Sequence, residues 1–149
     1  MGWDRAYSKI RPYLIYLTAS LGILMYSIDS TVVAVAFPLF MRDLGAGVIR
    51  ASWTISIFFV GVTMAMPLAG SLSDSFGRRR LFLVSLVLFT ASSLACGLAP
   101  NIASLIAFRF LQGIGGSSLL PTASGIVADY FPEDRERAIG LLSSIWPIA

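Results

Sequence analysis

Histidine is absent from the 149-residue sequence, and cysteine occurs once, as Cys96. An intrachain disulfide is therefore impossible, and zinc or haem sites of the usual His/Cys kind cannot be assembled. A histidine-based nucleophile, base and orienter is excluded with them. The hydroxyls of Ser117, Ser118 and Thr122 lie in an apolar run, where they bond to their own helix or a neighbouring one. These absences argue against an enzyme, and they imply no cofactor and no metal. Charge is scarce as well: Asp, Glu, Lys and Arg make up 13% of the chain, against about 25% in a soluble domain. The charges gather in short islands, so the net charge of +3 reflects arginines left on one side of a membrane rather than a nucleic-acid footprint.

Apolar residues are abundant, at 56% of the chain with a mean hydropathy of +0.80, where a soluble domain holds about 45–50%. Crossing about 30 Å of hydrocarbon takes about 20 apolar residues in a helix. Four segments meet that requirement, approximately 13–40, 51–72, 81–99 and 102–128, and a fifth apolar run opens at Ala138 and reaches Ala149. All must be helices, because an open strand cannot satisfy its backbone polar groups in lipid. The expected fold is an all-α membrane protein of four complete transmembrane helices plus the start of a fifth. The first run follows a basic stretch and contains Ala34-Val35-Ala36, like a cleaved signal peptide, but its length and Asp29 mark it as a retained span.

The islands set the orientation. Arg5, Lys9, Arg11, Arg78, Arg79, Arg80, Arg135 and Arg137 fall on one side, and Arg42 and Arg50 on the other. The positive-inside rule then places the N-terminus in the cytoplasm of a plasma or bacterial inner membrane. Trp3, Tyr7, Tyr13 and Tyr16 at the inner end of the first span, and Trp53 at the outer end of the second, fit interfacial belts or ordinary lipid-facing aromatics. The arginines opening the third span have the wrong sign for a helix N-terminus, so anionic headgroups and carboxylates such as Asp74 are expected to hold them.

Asp29 and Arg109 are the ionisable groups stranded inside spans, where a charge costs about 2.5–3.5 kcal/mol even on insertion scales. Asp29 lies eleven residues from Phe40 and Arg109 seven from Ile102. Their depths therefore differ by about 6 Å, so they are expected to pair or to line one cavity. Asp29 then serves as a proton-titrating or cation-sensing group, since burial disfavours its charge and Arg109 favours it; the alternative is a structural ion pair. Arg109, Gln112, Gly113 and Gly116 share one helical face toward the bundle interior. Gly61, Ala65 and Ala69 on the second span, and Ala91, Ala95 and Ala99 on the third, form small-residue packing stripes. Pro38, Pro67 and Pro121 mark bends.

Between the second and third spans the chain reads Gly70-Ser71-Leu72-Ser73-Asp74-Ser75-Phe76-Gly77-Arg78-Arg79-Arg80. Gly77 permits a tight turn there, and Asp74 is placed to pair with Arg78 or to cap a neighbouring helix. This loop closely resembles the signature loop of the major facilitator superfamily. The run from Leu105 to Gly116, around Arg109, Gln112 and Gly113, is similar to that family's fourth-helix motif. The run Asp29 to Pro38 resembles the first-helix motif of its fourteen-span drug:proton antiporters, with Phe37 where leucine is commoner.

The resemblance implies a major facilitator-type N-terminal helical bundle. It makes the loop of Gly70, Asp74, Gly77, Arg78, Arg79 and Arg80 a cytoplasmic gate latch, networked with Asp129 and Arg137, and Arg109 a residue of proton transfer. The implied function is the N-terminal portion of a proton-coupled exporter of drug-like small molecules, partnered by protons, substrate, the bilayer and the missing C-terminal helices. The fifth-helix antiporter motif would begin beyond Ala149, so the chain is expected to be a fragment or a truncated gene product that does not transport alone. Two alternatives stand beside this reading: uptake or export of another metabolite on the same fold, and a non-transporting membrane protein that associates through its small-residue faces.

Overall fold

The computed structural model describes residues 2–145 and the side chains of residues 12–145. The side chains of Trp3, Arg5, Tyr7, Lys9 and Arg11, and the end of the fifth apolar run at residues 146–149, lie outside the described residues. Among the described residues six helices follow one another: α1 Gly2–Asp43, α2 Val48–Phe76, α3 Arg78–Gly97, α4 Ile102–Gly116, α5 Leu119–Tyr130 and α6 Arg135–Ser143. Four stretches are long and apolar enough to cross a membrane, namely Pro12–Asp43, Val48–Phe76, Arg78–Gly97 and Ile102–Tyr130. This is a multi-pass, all-α membrane protein, with no strand among the described residues. Large apolar side chains such as Leu17, Val35, Met64, Val87 and Leu94 are exposed because hydrocarbon, not water, is the solvent for most of the surface.

The turns follow from local chemistry. Gly77, at φ +85°, ends α2 and starts α3, a single-residue turn in which its N–H bonds to the Ser73 carbonyl at 3.0 Å. That backbone conformation favours glycine. Asn101 caps α4 by accepting from the Ser104 N–H at 2.9 Å.

α4 and α5 belong to one membrane-crossing stretch, broken at Ser117 and Ser118. Pro121 has no N–H to offer the Ser117 carbonyl, and its ring crowds that carbonyl, so the bend expected at Pro121 appears four residues earlier. Side chains add hydrogen bonds beside the break: Ser118 shares a hydroxyl hydrogen bond with Ser85 of α3, and the Thr122 hydroxyl donates to the Ser118 carbonyl. Above the break α4 packs on α2 and α3; below it α5 packs on α1 and α3.

Glycines set the closest approaches. A Cβ at Gly61 would sit 2.5 Å from the Phe110 carbonyl oxygen, and one at Gly113 would collide with the Phe58 carbonyl, so α2 and α4 meet backbone to backbone. Gly61 and Ala69 are buried along this stripe, with Ala65 half-buried. A Cβ at Gly116 would lie 2.6 Å from the Tyr26 ring, and one at Gly115 would lie 2.7 Å from the Phe89 backbone. On α3 the sequence expectation needs correction. Ala91 is exposed while Ala95 and Ala99 are half-buried, and the fully buried face runs through Leu81, Phe82, Ser85, Phe89 and Ser92. The close approach of α4 to α3 is made at Gly115, against the Phe89 backbone. Around these contacts Ile23, Tyr26, Phe58, Phe82, Phe89, Leu119, Val127 and Leu142 form the main core.

Two aromatics assigned to the inner interface bind the chain itself. Tyr13 and Tyr16 each meet Phe131 edge to face at 6.0 Å, and the Tyr16 hydroxyl donates to the Ala138 carbonyl at 3.4 Å. Trp53 is half exposed, at 51%.

Gly113→Ala is expected to lower stability by about 1–3 kcal/mol, since its methyl has no space that side-chain motion can open. Gly140→Ala, at a position where nothing lies within 4 Å, is expected to cost no stability. Thermal unfolding of both variants in detergent micelles measures the contrast.

Candidate functional site

Asp29 of α1 meets Arg109 and Gln112 of α4 inside the bundle. Arg109 Nη1 donates to Asp29 Oδ2 at 2.7 Å and to Gln112 Oε1 at 2.7 Å, while Gln112 Nε2 donates to Asp29 Oδ1 at 2.8 Å. Each carboxylate oxygen thus has its own donor. Arg109 and Gln112 reach the same partner because residues three apart share a helical face. The Arg109 side chain is 4% exposed and that of Asp29 is 16% exposed. The acid is therefore the more exposed member of the pair.

Two other helices complete the surroundings. From α2, the Thr54 carbonyl accepts from Arg109 Nε at 3.4 Å, and the Phe58 ring lies 4.7 Å beneath the guanidinium carbon. From α3, the Cys96 thiol donates to Gln112 Oε1 at 3.7 Å. Thr54, Phe58 and Cys96 were not among the sequence candidates. A signal for the first two does exist: Ala51, Thr54, Phe58 and Gly61 are all buried on α2 at alternating spacings of three and four, the same face as the small-residue stripe. No comparable pattern singles out Cys96.

At the other end of the fourth span, Arg78 pairs with Asp129, its Nη1 lying 2.8 Å from Oδ1 and 3.0 Å from Oδ2, and it also donates to the Gly125 carbonyl at 3.2 Å. The expected Asp74–Arg78 pair does not form, and Asp74 caps no helix. Instead the turn at Gly77 carries Arg78 toward α5, where the missing side chain of Gly125 leaves room for it: a Cβ there would lie 3.0 Å from Arg78 Cδ. Among the described residues no ion pair is made by Asp74, Arg79, Arg80 or Arg137. Gly70 faces open space. Ser73, Asp74, Arg78, Arg79, Arg80 and Asp129 instead share the rim of a cavity of about 740 Å³ at this end of the bundle, whose apolar wall includes Ile15, Ala19 and Leu86. Arg137 lies apart from it, near Tyr13, Tyr16 and Phe131.

Residues 19–149 match the family model of the Major Facilitator Superfamily. The chain belongs to this superfamily. It is 41% identical over 130 residues to Multidrug resistance protein 3 of Bacillus subtilis, covering 87% of this chain and 25% of that protein. The Tetracenomycin C resistance and export protein of Streptomyces glaucescens is 35% identical over 136 residues, covering 91% of this chain and 25% of its own length. Niacin transporter NiaP of Acinetobacter baylyi is 33% identical over 135 residues, 90% of this chain and 31% of that protein. The chain thus spans about a quarter to a third of the length of these relatives. Membership points to a transporter rather than an enzyme.

Within this superfamily member the pairs made by Arg109 and by Arg78 differ in kind. Asp29–Arg109 is buried, and Arg78–Asp129 has side chains 46% and 59% exposed. Arg109→Met is expected to lower stability by about 3–5 kcal/mol, because it strands a carboxylate away from water, and adding Asp29→Asn to restore most of the loss. Arg78→Ala is expected to cost about 0–1 kcal/mol. Denaturant unfolding of the three variants in mixed micelles checks the order.

Proposed function

We propose that this chain is the N-terminal portion of a proton-coupled secondary transporter that exports drug-like small molecules by alternating access. The observation that carries the reading is the buried network of Asp29, Arg109 and Gln112, a titratable acid held in hydrocarbon by one cation and one amide. Intramembrane charges of this kind are expensive and are kept for ion pathways. A proton arriving at Asp29 cancels its charge and weakens its hold on Arg109, which gives the two halves of the cycle different internal electrostatics. Substrate class and direction are supported by the relatives named for multidrug resistance and for tetracenomycin C export.

In this reading Gly70, Asp74, Gly77, Arg78, Arg79 and Arg80 form the cytoplasmic gate loop, and Asp129 and Arg137 supply charges around it. The N-terminus lies in the cytoplasm of a plasma or bacterial inner membrane, as the distribution of arginines supports. Further helices of a longer transporter close the other side of the substrate cavity. The niacin transporter relative favours a second reading, in which the same fold moves a metabolite.

Joined to the remaining helices of a full-length transporter and reconstituted in proteoliposomes, the protein is expected to expel an amphipathic drug only while a proton gradient is held. Asp29→Asn is expected to abolish that dependence. Gradient-independent efflux, or undiminished proton-driven efflux by the Asn variant, overturns the coupling. Transport of niacin in place of the drug selects the second reading.

A further inference from the structure

Arg109 is a guanidinium cation only 3% exposed. Its partners are unequal. Asp29 is the one anion at the site; the others are the Gln112 carbonyl, the Thr54 carbonyl and the face of the Phe58 ring. The titratable groups facing the pair are Cys96 from α3 and Tyr26, one turn away on α1. The charged residues of α2, Arg50 and Asp74, lie near its ends. Once Asp29 is neutral, therefore, no other anion among the described residues faces this buried cation.

The two neutral carbonyls have little more to give. A helix carbonyl such as that of Thr54 already accepts from its own helix, and Gln112 Oε1 already divides its lone pairs between Arg109 and Cys96. The π face is different. Attraction between a cation and an aromatic ring grows as water is excluded, and it is felt most when no anion competes for the cation. Phe58 is both dry and fixed in place. The residue is 1% exposed, its ring is held at 5.7 Å by Tyr26 and at 5.5 Å by Phe59, and its backbone is locked against Gly113.

We propose that Phe58 is a positioning residue of the proton site, whose ring carries the charge of Arg109 while Asp29 is neutral, so that a proton can be taken up without expelling the guanidinium from the bundle. This rests on the proton-coupling reading above. It differs from a packing role because the value of the ring depends on the charge state of Asp29, whereas packing does not.

A double-mutant cycle on the 149-residue chain in bilayer nanodiscs separates the two roles. Asp29→Asn copies the neutral acid, and Phe58→Leu keeps an apolar side chain while removing the π face. The double variant is expected to lose more thermal stability than the two single variants together, by roughly 2–8 °C. Phe58→Tyr, which keeps a π face, is expected to remove that excess in the Asn background. A double variant that fails to fold while Asp29→Asn with Phe58→Tyr folds supports the proposal. Additive losses overturn it, and so does an excess that tyrosine does not rescue. The cycle involves no transport, so it can fail where proton-driven efflux holds, and hold where efflux proves independent of the gradient.

Discussion

Hydrocarbon cannot solvate a charge, and the arrangement of this bundle around Asp29 and Arg109 follows from that constraint. Either residue alone would face a desolvation cost of several kcal/mol. Together, with Gln112 filling the second carboxylate oxygen, they form a closed set in which each acceptor of the acid has a donor. The pairing requires α1 and α4 to present their polar faces to each other at one depth. It also leaves much of the remaining surface of α1 to hydrocarbon, where Leu17 and Val35 are exposed.

Close packing at the glycines makes the rest of the site possible. Because Gly61 and Gly113 let α2 and α4 touch through their backbones, the Thr54 carbonyl and the Phe58 ring come within reach of a side chain rooted on α4. A pair of larger residues would hold the helices apart and leave the guanidinium without its shelf. The break at Ser117 and Ser118 then lets one span serve two environments. Its upper half is wedged between α2 and α3 at the charge network, and its lower half lies against α1 and α3 near the arginine-rich turn. The span therefore bears Arg109 on one segment and Asp129 on the other, with an interrupted hydrogen-bond ladder between them.

The ion pairs made by Arg109 and by Arg78 belong to different energetic regimes. Surface pairs such as Arg78–Asp129 contribute about 0–1 kcal/mol, so this contact can open and close at little cost. The buried pair cannot separate so cheaply while both partners are charged. A protein that changes shape can use such a contrast, one contact for readiness and the other for commitment.

Much of this was legible in the residues. Length and apolarity dictated four membrane-crossing helices, because only a helix satisfies its own backbone in lipid, and the matched depths of Asp29 and Arg109 anticipated their meeting. Spacing placed Gln112 beside Arg109, since a helix puts residues three apart on one face whatever surrounds it. The resemblance had set Asp129 beside the arginine-rich loop, but tertiary structure decided that Arg78 would be its partner and that Asp74 would be passed over, because that choice depends on where the Gly77 turn aims α3 and on the room left by a glycine on α5. It also decided that Phe58 and Cys96 would border the charges. Residues on different helices become neighbours through packing, and periodicity along one helix reveals which face is buried but not which face of another helix it meets.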